Sequence, residues 1–392
     1  MDLETVINLF VHLLKSRQIS NLTQASFDYF WATYLEEIRG QLSDDQYENV
    51  CVLLGSPLMT IELLDLSSVK SDTPNSPATR TSPIYSPISQ GEIRLIVLLP
   101  SSTASAPVEC VLGDEILERS SPYEALSYVW GDPSKTKVIK VNGQDFAATE
   151  NLEAALRSLR YPQAGKFRVL WIDAICIDQN NVIERNEQVQ HMDRIYSSAQ
   201  HVCVWLGKEN NTDKLAIELL YQFPLLHQHD ESVDVNSAVE ALQNPTLLRK
   251  WDALSKFFAR PWWSRVWVLQ EVLLAKKATM YCGKLAVDWG LVGEFCTIAA
   301  LNSAKLAYIV TTNPTVQKAW DSLQCAFKIE SIRRLDDRYD SSRRFLKLLE
   351  HGVFMSATDP RDHVYGIMGL LQGDKPVVPD YRSVVFHVCL EA

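Results

Sequence analysis

The sequence predicts an α/β protein: a parallel β-sheet core with helical additions, preceded by a small all-α module. Three observations carry that expectation. Short, unalternating apolar runs recur after residue 92, at Ile93–Leu99, Ala125–Trp130, Arg168–Asp173 and His201–Leu206. Strands with both faces buried read this way, because helices cover the two sides of a parallel sheet. These runs alternate with segments of helical period, the grammar of strand–helix–strand units. Residues 1–64, by contrast, carry helical period alone.

In that first stretch Leu3, Val6, Ile7, Phe10, Val11 and Leu14 share one helical face. Phe27, Phe30, Trp31, Tyr34, Leu35 and Ile38 repeat the pattern. Ser43-x-x-Gln46 is a capping box that opens a third helix through Tyr47, Val50, Cys51 and Leu54. Residues 65–91 change character: Ser71–Pro77 and Thr81–Pro87 are Ser/Pro-rich, with little to bury, and read as a linker. Limited proteolysis is expected to cut there and leave a compact fragment starting near Glu92. Cuts scattered through 120–280 would contradict this boundary. The remainder, 92–392, reads as one domain with its core at about 120–285 and a helical extension over 290–392.

Within that domain, Val108–Leu112 is a further strand. Val138–Val141, Asn142-Gly143 and Gln144–Phe146 form a hairpin, because Asn-Gly suits a type I′ turn. Thr149 caps a helix whose apolar face is Leu152, Ala155, Leu156 and Leu159. Val189, Met192, Ile195, Tyr196 and Ala199 line one helix, with His191 on its solvated side. Helices follow at about 211–226 and 246–259, and a third runs from Pro261 to about Lys276. Thr279–Cys282 is another strand. Asp359-Pro-Arg-Asp362 starts a helix, with Asp359 as its cap, and Tyr381–Leu390 reads as a last one. Gly366 and Gly369 mark close helix packing.

Composition narrows the function. Of 392 residues 46% are hydrophobic and 22% charged, which is ordinary for a globular chain. A formal net charge of −10 speaks against a nucleic-acid partner. No apolar run of about 18 residues exists to span a membrane. The N-terminal residues lack the features of a secretory signal, so a cytoplasmic location is expected. The eight cysteines include no CxxC pair and read as buried free thiols, so no metal is expected. Neither GxGxxG nor GxxxxGK[ST] occurs.

Four longer segments carry a resemblance. Tyr123–Asp132 (YEALSYVWGD) resembles the opening motif of fungal heterokaryon-incompatibility (HET) domains. Leu170–Gln179 (LWIDAICIDQ), with Glu184, Gln188 and Val204–Gly207, resembles the central motif. Arg260–Glu271 (RPWWSRVWVLQE) and Asp359–Tyr365 (DPRDHVY) are similar to the two later ones. The family more often shows Asn where Asp178 stands, and many of its members continue beyond this C-terminus. The resemblance implies self/non-self recognition in a fungus: assembly with an incompatibility partner, or self-association, triggers programmed cell death. A scaffold without activity of its own is a third reading.

The order of elements also resembles TIR domains, a flavodoxin-like fold some of whose members cleave NAD. Trp267 and Glu271 match the spacing of the TIR catalytic glutamate. That resemblance implies an NAD-cleaving enzyme in which NAD is substrate and no cofactor is required. On a continuous helix Trp263, Trp267, Glu271 and Leu274 stack, so the carboxylate falls on an apolar stripe. It is then either a catalyst that stabilises a ribosyl cation or one half of a core ion pair with Arg265 or a nearby lysine. Ligands of open α/β sheets sit beyond the carboxyl ends of strands. Trp130, Gly131 and Asp132 occupy one such end, Asp173 and Cys176 another. Together with Trp267 these are the candidate binding residues. Trp130 either stacks on a ligand ring or closes the core, and Asp173 either holds ribose hydroxyls or caps its loop.

Overall fold

The computed structural model describes residues 84–228, 244–301, 310–334, 341–352, 354–371 and 377–383. The N-terminal module, most of the linker and all but the first three residues of the helix expected over Tyr381–Leu390 lie outside the described residues; those three, Tyr381–Ser383, form a turn.

Nine strands are described: β1 (Glu92–Leu98), β2 (Glu109–Ile116), β3 (Glu124–Tyr128), β4 (Thr136–Val141), β5 (Gln144–Thr149), β6 (Arg168–Trp171), β7 (His201–Gly207), β8 (Ala278–Cys282) and β9 (Leu285–Asp288). They form one mixed sheet in the order β5-β4-β2-β1-β6-β3-β7-β8-β9. Its centre, β6-β3-β7-β8, is wholly parallel. Taken by chain position, those four strands stand second, first, third and fourth across the sheet. This is the order found in flavodoxin-like doubly wound sheets. The flanks are mixed rather than purely parallel: β1 runs antiparallel to β6 and β2, and β9 antiparallel to β8. The burial of β7, five consecutive buried residues from Val202 to Leu206, fits a central strand covered on both faces. β2 alternates buried and exposed positions from Cys110 to Gly113, as a strand with one wet face does.

Local chemistry explains the expected elements that form. Asn142 (φ 52°) and Gly143 (φ 77°) both take the left-handed region that a type I′ hairpin requires. The Asn142 side chain also accepts from Leu112 N at 2.8 Å, which ties the hairpin to β2. Thr149 Oγ1 accepts from Leu152 N at 3.3 Å and opens α1 (Glu150–Leu159), whose Leu152, Ala155, Leu156 and Leu159 are all buried.

Two expected helices are broken. The 189–199 helix is two: α2 (Asp173–Cys176) leads to α3 (Val182–Gln190), which stops at His191 before α4 (Met192–Ser198). α3 buries Glu184, Asn186 and Gln188 while Val189 is half-buried. The inward side of α3 meets polar groups: Glu184 pairs with buried Arg94 at 2.5 Å, and Gln188 donates to Glu92 O at 2.9 Å. His191 is half-buried rather than solvated, and burial, then the Arg194 charge, holds its pKa down.

The chain continues through α5 (Asp213–Gln228) and α6 (Pro245–Phe258). The helix expected from Pro261 is then a single 3₁₀ turn, Pro261–Ser264. Arg265 is extended (φ −72°, ψ 134°), Val266 N donates to Ser356 O, and α7 spans Val268–Leu273. The continuous stripe through Trp263 and Trp267 therefore does not exist. Trp262 and Trp263 instead enter an aromatic core with Phe257, Phe258 and Trp289, the two indoles meeting edge to face at 5.0 Å.

Helices dominate the rest: α8 (Trp289–Leu301), α9 (Pro314–Ser322), α10 (Gln324–Arg333), α11 (Ser341–Gly352) and α12 (Asp362–Met368). Asp359 does not stand at the cap position, which Arg361 takes; its carboxylate accepts from Arg361 N at 3.0 Å and pairs with the Arg361 guanidinium at 2.6 Å. Beside α12, a Cβ on Gly369 would lie 2.2 Å from Gln270 Oε1, so the close packing expected there is real. Part of the expected linker is also fixed. Tyr85 donates to Ile175 O at 2.9 Å, and the Arg94 guanidinium lies 4.9 Å from the centre of its ring.

Candidate functional site

Ser127 is a polar residue in an apolar, central strand, and a buried hydroxyl must find partners. It accepts from Trp262 Nε1 at 2.8 Å and donates to Glu271 Oε2. The extended break at Arg265 makes this possible. Trp262 lies before it and Glu271 after it, so both return to the same strand residue. The Arg265 guanidinium donates to Tyr128 O and lies 3.8 Å from Glu271 Oε1. Glu271 itself is only 2% exposed.

A second carboxylate stands close by. Asp173, first residue of α2 directly after β6, accepts from Trp130 Nε1 at 2.7 Å and from Ala174 N at 2.7 Å. A third, Asp362, accepts from Tyr381 Oη at 2.7 Å and from the Trp267 indole. Burial raises the pKa of all three. Glu271 is pushed up to about 7, by burial first, against the pull of Arg265 and the Ser127 hydroxyl, with the Asp173 charge adding to the rise. Asp173 and Asp362 also stand above the ordinary carboxylate value, again because of burial and again opposed by Arg265. The ion pair expected between Glu271 and Arg265 is present, at 3.8 Å, and the same guanidinium charge also acts on Asp173 and Asp362.

A carboxyl that titrates near neutrality can give or take a proton at working pH. It also has a thermodynamic consequence. The folded pKa of Glu271 lies above its unfolded value of 4.5, so the folded state binds more protons between those values. Stability should therefore fall as pH rises from about 5 to 8, by roughly 3 kcal/mol from this group. Glu271→Gln should shallow that decline, measured as urea midpoints at several pH values. An unchanged slope would show that Glu271 is not the titrating group.

The structure brings together some expected residues and not others. Trp130, Asp173, Trp267 and Glu271 all touch this cluster. Trp130 is 41% exposed, so it does not close the core, and Asp173 both caps its turn and holds the Trp130 indole. Gly131 (φ +83°) shapes the turn after β3. Asp132 is exposed and bonds Ser134 and Lys135 within its own turn. Cys176 is sealed beneath α2, with burial pushing its thiol up to about 12. The sequence reading missed Ser127, Tyr128 and Asp362. For Ser127 a signal was present: one hydroxyl inside the run Ala125–Trp130.

A separate polar cluster joins Glu124, His201 and Cys203, whose donor atoms lie within 4.8 Å of one another. Arg168 already binds both Glu124 oxygens at 2.7 Å, so the cluster is an ion pair in this state.

Residues 123–271 match the family model described as "Heterokaryon incompatibility protein (HET)". The match opens just before β3, the strand of Ser127, and closes on Glu271. A curated Neurospora crassa protein, heterokaryon incompatibility protein 6, OR allele, is 29% identical over 336 residues, 74% of this chain and 49% of that protein. The chain therefore spans about half the length of that relative. No solved structure matches this chain.

Proposed function

From the premise that this chain carries a HET domain, we propose that it is a self/non-self recognition protein whose assembly triggers programmed cell death in a fungal cytoplasm. The match over residues 123–271 carries this reading, and the name of the Neurospora relative supports it. Exposed Trp130, Val138 and Phe167 offer apolar surface for association with an incompatibility partner or a second copy. No helix among the described residues is long and apolar enough to cross a membrane. Inducible expression of the full chain in a fungal host should arrest growth. Unimpaired growth at high, soluble expression would contradict the reading.

A second reading, a TIR-like NAD-cleaving enzyme, draws support from the strand order β6-β3-β7-β8 and from Glu271. A carboxylate against ribose stabilises the oxocarbenium-like centre formed as the N-glycosidic bond breaks. In the present conformation Ser127 and Arg265 occupy the Glu271 oxygens, so assembly would have to open the site. Concentrated protein incubated with NAD should then release nicotinamide, and Glu271→Gln should lower the rate by roughly 10²-fold. Absence of wild-type turnover would end this reading and leave the first intact.

A further inference from the structure

A cavity of about 540 Å³ lies between α1, the end of β7, the Gly283-Lys284 turn and the 101–104 loop. Its walls carry Lys137, Arg157, Arg160, Lys208 and Lys284 against only two carboxylates, Glu153 and Glu209. Five cations against two acids leave a local excess of +3, on a chain whose formal net charge is −10. None of Ser127, Trp130, Asp173 or Glu271 lines it. We propose that this cavity binds a small molecule bearing a pyrophosphate group, at a site distinct from the Glu271 cluster.

The cations are set in place before any ligand arrives. Arg157 Nε donates to Glu153 at 2.7 Å and its Nη1 to Ala106 O at 2.9 Å. Arg160 Nη1 donates to Pro107 O at 2.7 Å. Arg160 spends its Nη1 and Nη2 donors on the carbonyls of residues 103–107, and Arg157 Nη2 lies 2.5 Å from Glu153, so these two add charge while the lysine ammonium groups, with three N–H each, supply the direct donors to phosphoryl oxygens. Lys284 reaches Ser158 O across the same opening. Ser101 and Ser102 add hydroxyls at the rim.

Part of this charge is offset, since Glu153 lies 2.5 Å from Arg157 and 3.6 Å from Lys137, but the cations still repel one another. Arg160 stands below its ordinary pKa through burial and then the Arg157 charge, against the opposing pull of Glu153 and Glu109. Lys284 stands below its own through burial and then the charges of Arg160 and Arg168. An anion bound among them relieves this repulsion, whereas a neutral ligand does not. Trp205 is only 2% exposed, so the cavity offers little ring surface and recognition falls on the phosphates.

Calorimetric titration of the full chain at low salt tests the proposal, with inorganic pyrophosphate, ATP and adenosine as probes. Pyrophosphate and ATP should bind saturably, and adenosine should not. The Lys208→Gln/Lys284→Gln variant should lose on the order of 10-fold in affinity, at an unchanged melting temperature without ligand. Should Lys284→Gln disturb folding, Lys208→Gln alone, on an exposed side chain, should still weaken binding, and Glu209→Gln should strengthen it. Absence of saturable pyrophosphate binding at about 1 mM, a range where weak sites still register, would overturn the proposal. Equal affinity in the folded lysine variants, or adenosine binding as tightly as ATP, would overturn it as well.

Discussion

Arg94→Met should cost about 3–5 kcal/mol of folding stability, read as a lower urea midpoint at unchanged slope. Arg94 sits in β1 at 1% exposure, and its guanidinium grips Glu184 at 2.5 and 3.2 Å. It also donates to Cys176 O at 3.1 Å and Ser86 O at 2.6 Å. One side chain therefore joins the interior strand β1, the end of α2, the start of α3 and the last residues of the linker. Glu184 depends on it, being 7% exposed with one further donor, Asp178 N at 2.8 Å. Methionine preserves most of the apolar stem but leaves that carboxylate buried without its cation. Adding Glu184→Gln to Arg94→Met should restore at least about 1 kcal/mol, the coupling of a contacting pair in a double-mutant cycle. A single-variant loss under about 1 kcal/mol would mean that this buried pair does not organise the domain.

Trp262→Ala should be comparably damaging, at about 3–5 kcal/mol, because it empties an indole-sized volume from a close-packed core. Trp262 is fully buried and meets Trp263 and Trp289 edge to face at 5.0 and 6.1 Å. Its Nε1 also donates to Ser127 at 2.8 Å, so its loss releases the hydroxyl that faces Glu271. Trp262→Phe separates the two roles: most of the volume stays and the N–H is lost, for about 1–2 kcal/mol. If both variants cost equally little, neither packing nor the hydrogen bond explains why this indole stands behind Ser127.

Much of the fold was legible because local rules decided it. Asn142-Gly143 can hardly be anything but a tight hairpin, and Thr149 with Leu152, Ala155, Leu156 and Leu159 carries both a cap and a periodic face. The parallel centre followed from apolar runs such as His201–Leu206. Elements governed by distant partners were not legible. The break at Arg265 depends on Ser356, about ninety residues away in the chain, whose carbonyl takes the Val266 N–H. The polar inward face of α3 depends on Arg94, which no period reveals. Glu271 was singled out by its spacing from Trp267 and expected on an apolar stripe, though on a helix that proved discontinuous. Arg265 was foreseen as a possible partner and lies 3.8 Å from it, whereas Ser127 and Asp362 were harder to see, because they reach it or its neighbours only through tertiary folding.

The proposal that this HET domain signals death through the cluster at the end of β3 is tested most directly by comparing wild type with Trp130→Ala. At 41% exposure Trp130 can be truncated with little loss of packing, yet its indole hydrogen bond to Asp173 at 2.7 Å goes with it. The measurement is growth of a fungal host carrying each full-length chain under one inducible promoter, at matched soluble protein levels and matched melting temperatures. The account predicts growth arrest with wild type and normal growth with Trp130→Ala. Arrest by both chains would remove the cluster from the signal, and normal growth with both would contradict the signalling function itself.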